Sequence, residues 1–390
     1  MIYNSLKKLM NYVETKNFSG YDPYDILHSK INFSIFGKWG PIIATQIHKR
    51  NPINIRKLIG IQKTHNPKGM GLFLHAYSLM YRINQLPSIK EKMDFFFDWL
   101  SNNFSKGYSG YCWGLDFPYS PRRYFLPSYT PSIVVTAFVS LGIFEYYLVT
   151  KNPKAKEILR SSCDFLLNDL HITESKDNSI CFSYTPIKKD IILNATMLGS
   201  RLLAINYYIT QEKKLKEFAK KSMDFIINHQ HSDGRWNYGI YENRKEKKQI
   251  DFHQGFILNS IFDYLQYAKD NNEKYRNALI KGCNYYYHNQ FFENGQSIWR
   301  VPKKWPVDIH SQSQGIITFC KLSELSSNYL PFAKRIALWT INNMQNIKGY
   351  FYYQKNNFFT NKIPYMRWSQ AWMMLALVTL INSTAIKNVK

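Results

Sequence analysis

An internal repeat constrains the fold of this chain more than any other feature of its sequence. A segment with helical character ends in a Gly, Asp or Asn turn and is followed by an aromatic stretch, and this unit occurs five times. Corresponding positions Asp94, Asp164, Asp224, Asn284 and Trp339 are 70, 60, 60 and 55 residues apart. Such regular spacing predicts a repeat architecture in which each copy is one supersecondary unit.

A second set of segments lies between these copies and is apolar almost all round, which is typical of buried helices. The repeat helices, in contrast, carry Lys and Glu at amphipathic spacing, as in residues 211–230. The two sets predict an inner and an outer ring of helices, so the fold class is all-α, an (α/α)6 toroid of about six helical hairpins. The apolar set comprises residues 69–83, 131–150, 194–210, 251–268, 308–326 and 367–381.

The length of 390 residues suits such a ring built as a single domain over residues 1–390. The repeat region covers residues 65–390. Residues 1–64 show no clear repeat, so the sequence leaves open whether they complete the ring or form an additional element.

Composition and charge restrict the class of protein. Hydrophobic residues make up 45% of the chain and aromatic residues 16%, which excludes a disordered polymer. No secretory signal and no run of 18 apolar residues is visible, and the five cysteines form no CxxC, so we expect a cytoplasmic protein with reduced thiols. The net charge of +24 suits nucleic acid, an anionic membrane surface or an anionic substrate, or it reflects lysines scattered over solvated faces.

The beginnings of the inner helices carry the candidate catalytic residues. The motif Asp-x-His occurs twice, at Asp251 and His253 and again at Asp308 and His310, in what the repeat suggests are equivalent positions. Either aspartate also suits a helix N-cap, because a side-chain oxygen accepts an unpaired backbone N–H there. We predict that these four residues, together with Asp116 in a preceding loop, form the catalytic set.

Aromatic, amide and arginine side chains near the same helix starts are candidates for substrate binding. Flat aromatic faces bury the C–H-rich faces of sugars, although every repeat copy also has such a residue for packing. Buried amides need hydrogen-bond partners, which sugar hydroxyls supply, and arginines bind carboxylates or phosphates in pairs of hydrogen bonds. The candidates are Trp113, Tyr184, Trp236, Tyr238, Trp299 and Trp368, the amides Gln254, Gln312, Gln314 and Gln370, and Arg122, Arg123, Arg300 and Arg367.

Several other kinds of site are not indicated by the sequence. The motifs HExxH, GxSxG, GxxxxGK[ST] and GxGxxG do not occur, and no cluster has metal-ligand spacing. No nucleic-acid-binding module is recognisable. The sequence therefore predicts no metal, no cofactor and no nucleic-acid partner.

Four motifs together resemble α-toroid proteins of bacterial surface-polysaccharide gene clusters. The motifs are the segments at residues 130–139, 233–239, 251–258 and 306–314, and the resemblance runs from about residue 65 onward. The Asp-Gly-x-Trp-x-Tyr-Gly element is also similar to repeats of triterpene cyclases and protein prenyltransferases, but this chain has no DxDD-type cluster and no evident zinc set. A more distant resemblance is to glucuronyl and N-acylglucosamine epimerases, polysaccharide lyases and glycosidases.

This resemblance implies an enzyme that modifies a glycan, such as a lipid-linked or nascent polymer, during surface-polysaccharide synthesis. One expected mechanism is epimerisation or elimination next to a uronate carboxylate, with His253, His310 or a loop tyrosine as base. Another is hydrolysis by a carboxylate pair drawn from Asp116, Asp251 and Asp308. A non-catalytic glycan-binding protein and, less favoured, a terpene cyclase-like enzyme are the alternatives. The positive charge also allows peripheral association with the inner membrane, and the oligomeric state stays open.

Overall fold

The protein is described by a computed structural model that covers residues 1–120, 125–241 and 245–389, with side chains described up to residue 385. Helices dominate this part of the chain. In chain order they are α1 Ile2–Glu14, α2 Trp39–His48, α3 Pro67–Ile83, α4 Pro87–Asn102, α5 Ile133–Thr150, α6 Pro153–Asp164, α7 Leu193–Thr210, α8 Lys213–Asn228, α9 His253–Tyr267, α10 Glu273–Asn289, α11 Ile309–Lys321, α12 Tyr329–Met344 and α13 Trp372–Val389.

Six of these helices form a closed inner ring in which each helix packs against the next. The order is α3, α5, α7, α9, α11 and α13, and α13 packs back onto α3. Their sequences explain their position, since α5 and α7 are buried on nearly every side. The outer helices, such as α8, bury one apolar face and present lysines to solvent. The predicted (α/α)6 toroid and its inner segments are thus confirmed.

The N-terminal helix α1 is the sixth outer helix and closes the ring. It packs against α13 and α12, and Tyr77 of α3 donates a hydrogen bond to Glu14. Gln345, just after α12, donates to the backbone carbonyl of Ser5 at 3.1 Å. Residues 1–14 therefore complete the hairpin whose inner member is α13, which answers the question that the sequence left open for this stretch.

Repeated glycine turns place each aromatic stretch against the next outer helix. Gly234, Gly295 and Gly349 all have φ between 92° and 98°, a backbone region that favours glycine. A Cβ atom on Gly295 would collide with the backbone of Arg335 in α12, and one on Gly349 would collide in the same way with Lys8 in α1. The repeated contact shows that α1 occupies the place of an outer repeat helix.

Short antiparallel strands connect the loops of neighbouring repeats at the end of the ring where the inner helices begin. Strand pairing ties the stretch before α7 to the stretch before α9, and the stretch before α11 to the stretch before α13. The strands are β1 Ile172–Glu174 with β2 Ile180–Phe182, then β3 Ile191–Ile192, β4 Gly239–Ile240 and β5 Glu246–Lys247, and finally β6 Val307–Asp308, β7 Gln354–Lys355 and β8 Thr360–Asn361.

Residues 15–66 cross the same end of the ring and contain α2 and two short 3-10 turns, Asp25–His28 and Phe33–Phe36. A buried ion pair anchors them, because Arg56 donates from Nε to both carboxylate oxygens of Asp25 at 2.8 and 2.9 Å. The guanidinium of Arg56 also lies 4.7 Å from the ring centroid of Tyr365. The segment is thereby fixed to the C-terminal hairpin.

Among the described residues, one helix has the length and composition that would allow it to cross a membrane, and it is α5. Its apolar character has another explanation in this fold, since most of the helix is buried in the inner ring.

Candidate functional site

A cavity of about 1010 Å³ opens at the end of the ring where the inner helices begin. Its floor receives at least one side chain from the start of each inner helix, so the ring itself assembles the site. Among these side chains are Lys68, Val134, Asn194, Phe252, His310 and Trp368, and Trp368 lies in the π-helical turn Met366–Ala371 that leads into α13.

Glutamines define the register of the last three inner helices. Gln254 accepts from the backbone N–H of Trp236 and donates to the carbonyl of the same residue. Gln370 holds Phe351 by the same two bonds. Gln312 accepts from the N–H of Ser297 at 2.7 Å. Each amide thus secures the aromatic stretch that precedes its own helix.

Asp251 and His253 form a hydrogen-bonded pair at the start of α9. Nδ1 of His253 lies 2.5 Å from a carboxylate oxygen of Asp251, which fixes the orientation of the imidazole. Burial alone would raise the pKa of Asp251, but His253 and Arg300 outweigh it and hold that pKa below its ordinary value. The Nε2 atom of His253 has no hydrogen-bond partner among the described residues and is available to a ligand in the cavity.

Asp308 and His310 are arranged differently at the start of α11. Asp308 is the N-cap and accepts from the backbone N–H of His310, from Nε1 of Trp368 at 2.9 Å and from Gln354 at 2.7 Å. Burial raises the pKa of Asp308 in spite of these bonds. Its carboxylate is therefore occupied by protein donors and does not contact the imidazole.

His310 is buried and has no hydrogen-bond partner on either ring nitrogen. Burial, followed by the nearby basic groups of Lys68, His253 and Arg367, lowers its pKa well below the ordinary value for histidine. Its ring stacks on Phe252 with centroids 4.1 Å apart and meets Trp368 edge-on at 4.7 Å. A neutral imidazole with two free nitrogens is thus held rigidly in the cavity floor.

Lys68 is a second unpartnered group in the floor. The residue is only 5% exposed and its ammonium forms no hydrogen bond or ion pair with a described residue. Instead, Nζ lies over the rings of Phe138, Trp372 and Phe256, at 4.3, 5.4 and 5.8 Å from their centroids. Burial, together with Arg367, lowers the pKa of Lys68 well below its ordinary value.

The two arginines predicted to bind an anion differ in their availability. Arg367 is buried and donates two hydrogen bonds to Asp22, so its guanidinium is already neutralised inside the protein. Arg300 lies over the ring of Trp299 at 4.7 Å and its Nε is 3.5 Å from Asp251. It is partly exposed at the cavity wall and has donors left for a ligand.

The described lining is strongly basic. Eight lysines and arginines face the cavity against three aspartates, and even without Arg367, which Asp22 neutralises, the imbalance suits an anionic ligand. The cations are Lys49, Arg50, Lys68, Lys188, Lys189, Lys247, Arg300 and Arg367, and the aspartates are Asp190, Asp251 and Asp308.

Ten of the residues predicted from the sequence line the cavity. They are Tyr184, Tyr238, Asp251, His253, Trp299, Arg300, Asp308, His310, Arg367 and Trp368. The sequence reading missed Lys68, which precedes its first apolar segment by one residue, and Tyr24, Phe252, Tyr353 and Gln354. Tyr24 could not be found because residues 1–64 have no repeat to place them.

The two tryptophans Trp113 and Trp236 do not line the cavity, which corrects their prediction as sugar platforms. Both are completely buried. Their indole N–H groups donate to the backbone carbonyls of Leu100 and Ile226 in the preceding outer helices. They are packing residues of the repeat.

The buried amides also have a different role from the one predicted. Gln254, Gln312 and Gln370 hold backbone groups of the repeat, and Gln314 donates to Thr318 one turn further along α11 at 2.8 Å. Their polar groups are satisfied by the protein rather than by sugar hydroxyls.

Asp116 is buried just beneath the lining and accepts from the side chain of Asn66 at 2.7 Å. Asn66 in turn caps α3, so Asp116 supports the helix start that carries Lys68. Asp116 is not among the described lining residues, so the geometry does not support its predicted catalytic role. Arg122 and Arg123 lie outside the described residues.

Among the residues that the structure describes, no group of three or more His, Cys, Asp or Glu side chains is arranged to hold a metal ion.

No protein-family model matches the chain, and no curated protein matches its sequence. Solved structures do match. Cellobiose 2-epimerase from Bacillus thermoamylovorans B4167 aligns with a TM-score of 0.65 and 13% identity over 96% of this chain and 99% of its own. The GH76 α-mannanase BT2949 of Bacteroides thetaiotaomicron aligns with a TM-score of 0.66 and 14% identity over 100% of this chain and 97% of its own.

An unsaturated glucuronyl hydrolase specific for heparin gives a TM-score of 0.63 and 11% identity over 99% of this chain and 96% of its own. The sequence had predicted a distant resemblance to epimerases and glycosidases, and both classes are present among these structures. At these identities the similarity establishes the fold, and the chain is an (α/α)6 toroid.

Proposed function

We propose that this chain is a carbohydrate-modifying enzyme that moves a proton on an acidic sugar bound in the cavity, by epimerisation or elimination next to a carboxylate. One observation carries the proposal. An imidazole oriented by a carboxylate, a second imidazole with both nitrogens free and an unpaired lysine all line the same cavity. The toroids similar in structure include sugar epimerases and a glucuronyl hydrolase, which supports the substrate class.

The proposed chemistry uses each of these groups. Nε2 of His253 takes the proton from the carbon next to the carboxylate, and Asp251 stabilises the imidazolium that forms. The electron pair left on carbon delocalises into the carboxylate, whose negative charge favours the ammonium form of the adjacent Lys68 and is offset by it. His310 relays a proton from solvent to the opposite face, taking one up on one nitrogen as it releases one from the other, and this gives the epimer once His253 has lost its proton to solvent. Departure of the glycosidic oxygen from the neighbouring carbon forms a carbon–carbon double bond and gives elimination instead, with the leaving oxygen taking up a proton.

A second candidate, glycoside hydrolysis, rests on two of the three described lining carboxylates, Asp251 and Asp308. Burial raises the pKa of Asp308, while His253 and Arg300 help to hold the pKa of Asp251 low. Two carboxyl groups whose pKa values diverge in this way usually act as the acid and the base of a reaction. All three donors to Asp308 are protein groups, however, so the acid would have to exchange one of them for the leaving oxygen.

The biological context belongs to the proposal too. The resemblance of the repeat motifs supports a role in bacterial surface-polysaccharide synthesis in the cytoplasm, on a nascent or lipid-linked glycan. Surface glycan from a deletion strain, complemented with wild-type or His253→Gln protein, tests this context. A change in the configuration or presence of one sugar, restored only by the wild-type protein, is the expected result.

The activity itself is tested by incubating the protein in D₂O with uronate-containing oligosaccharides and recording proton NMR spectra. Epimerisation replaces hydrogen by deuterium next to the carboxylate, whereas elimination leaves that carbon without hydrogen and gives the vinyl proton signal of an unsaturated uronate. His253→Gln and Lys68→Met should abolish the exchange, whereas His288→Gln, an exposed histidine on α10, should not. Release of a saturated sugar without deuterium would favour the hydrolase, and binding without any of these reactions would favour a glycan-binding protein.

A further inference from the structure

The segment that crosses the mouth of the ring exposes an unusual number of large apolar side chains. Eight of them lie between residues 31 and 58, with exposed fractions between 45% and 86%. They are Ile31, Ile35, Phe36, Trp39, Ile43, Ile47, Ile53 and Leu58, and we call them the 31–58 apolar surface. A concentration of this kind marks an interaction site on a folded protein.

Helix α2 provides the regular part of this surface. Trp39, Ile43 and Ile47 are four residues apart, so they lie on one face of the helix. The opposite face packs against the protein through Thr45 and His48, which are buried. The apolar face of α2 therefore points away from the core and has no partner within the described chain.

The charge of the segment indicates what covers this face. From Ile26 to Lys90 the sequence contains no aspartate or glutamate. Besides the buried Arg56, which is paired with Asp25, five lysines and arginines are interspersed with the apolar residues, namely Lys30, Lys38, Lys49, Arg50 and Lys57. Apolar side chains bordered by cations, without a single carboxylate, complement an anionic lipid surface. An ordinary protein partner would not require the exclusion of acidic residues over 65 positions.

The surface is held in a fixed place next to the cavity. The Asp25–Arg56 ion pair anchors the segment, and His48 at the end of α2 contacts the same carboxylate at 3.2 Å. Gln46, Lys49 and Arg50 of the same stretch line the cavity. A bilayer seated on the apolar face of α2 would therefore lie beside the cavity mouth.

We propose that the 31–58 apolar surface is a docking surface for an anionic bilayer. The helix α2 lies in the interface with Trp39, Ile43 and Ile47 among the acyl chains, while the lysines contact the headgroups. Docking brings the mouth of the cavity to the membrane, where a lipid-attached ligand is accessible. The inference does not depend on which reaction the cavity carries out.

Co-sedimentation of the full-length protein with vesicles tests the proposal. We expect binding to vesicles that contain phosphatidylglycerol, about tenfold weaker binding to pure phosphatidylcholine, and weakening by added salt. Ile43→Glu/Ile47→Glu should reduce binding to the anionic vesicles at least about tenfold, since both side chains are exposed and the change leaves the core intact. Lys38→Gln/Lys57→Gln should reduce it less and should flatten the salt dependence.

The matched control is Ile347→Glu/Phe358→Glu, which places the same charges on two apolar side chains that are 87% and 97% exposed outside this segment. Its vesicle binding should equal that of the wild type. A blue shift of tryptophan emission on vesicles that Trp39→Phe removes would show that this face enters the lipid. Absence of binding to anionic vesicles at low salt, or equal losses in test and control variants, would overturn the proposal. So would a wild-type dimer that Ile43→Glu/Ile47→Glu dissociates, because a second copy would then cover the face.

Discussion

The two Asp-x-His sequences at the starts of α9 and α11 are alike in sequence and unlike in structure. Asp251 holds the imidazole of His253, which keeps one nitrogen free in the cavity. Asp308 instead caps α11 and binds Trp368 and Gln354, and His310 keeps both nitrogens free. The same three-residue pattern thus produces an oriented dyad in one repeat and a helix cap with an isolated neutral imidazole in the next.

A difference in register explains this outcome. Gln254 and Gln312 perform the same structural task, but His253 precedes its glutamine by one residue and His310 by two. His310 therefore corresponds to Phe252 rather than to His253, and Trp368, two residues before Gln370, corresponds to both. These three rings come from equivalent positions of neighbouring helices and contact one another. The prediction that the two histidines are equivalent is wrong by one residue.

The largest expected effect is the loss of activity when His253 is replaced. His253→Gln removes the oriented base and should lower kcat for hydrogen exchange by about 10³-fold, within the range typical of general-base catalysis. The NMR exchange assay measures this rate, and circular dichroism checks that the variant is folded. Activity within tenfold of the wild type would exclude His253 as the base.

The two aspartates should differ when each is replaced by asparagine. Asp251→Asn removes the charge that orients and stabilises the imidazolium and should lower kcat about 10²-fold. Asp308→Asn keeps an oxygen that accepts from His310 and Trp368, so a decrease of less than about tenfold is expected. Equal effects on kcat would mean that the two sites act alike, contrary to the structural comparison.

The glutamines test the register itself. Gln254→Ala and Gln312→Ala each leave buried backbone groups without partners, and each should lower the free energy of unfolding by about 2 kcal/mol. Urea unfolding measures both values. Gln296→Ala is the control, because this side chain forms no hydrogen bond with the described residues, and it should change stability by less than about 0.5 kcal/mol. Clearly unequal losses for the two glutamines would argue against equivalent positions.

The smallest expected effect concerns pH and His310. Because burial and nearby cations lower its pKa in the folded state, only the unfolded chain takes up a proton as the pH falls through the ordinary histidine value of about 6.5. Stability is therefore lost below about pH 6.5. His310→Phe should remove about 1 kcal/mol of this loss between pH 7.5 and 5.5, measured by urea unfolding. Burial also lowers the pKa of His75, but this residue contributes equally to the wild type and the variant. Identical pH dependences of the two proteins would contradict the assignment of this loss to His310.

The sequence was sufficient to predict the ring but not the state of its side chains. The repeat spacing and the apolar segments determine the inner helices, because burial on all sides requires that composition. Four of the five predicted catalytic residues line the cavity for the same reason, since the repeat places them at helix starts. Their catalytic roles stay predictions. The amides and Trp236 were misassigned because a polar or aromatic residue near a helix start looks the same whether it faces a ligand or secures the preceding loop.

Lys68 shows what periodicity could not reveal. A single lysine before an apolar segment resembles an ordinary boundary residue, and its isolation depends on rings from three other helices, α5, α9 and α13. Contacts of this kind join positions as far apart as residues 68 and 372, and no local pattern records them.

The position of α1 in the ring has a consequence for synthesis on the ribosome. Its apolar face, with Leu6, Leu9 and Val13, is buried against the hairpin of α12 and α13, which is translated more than 300 residues later. At typical elongation rates that face waits roughly 15 to 70 s for its partners. The ring of helices is therefore completed only when the last hairpin emerges from the ribosome. Until then each end of the nascent chain exposes an apolar helix face to which chaperones can bind.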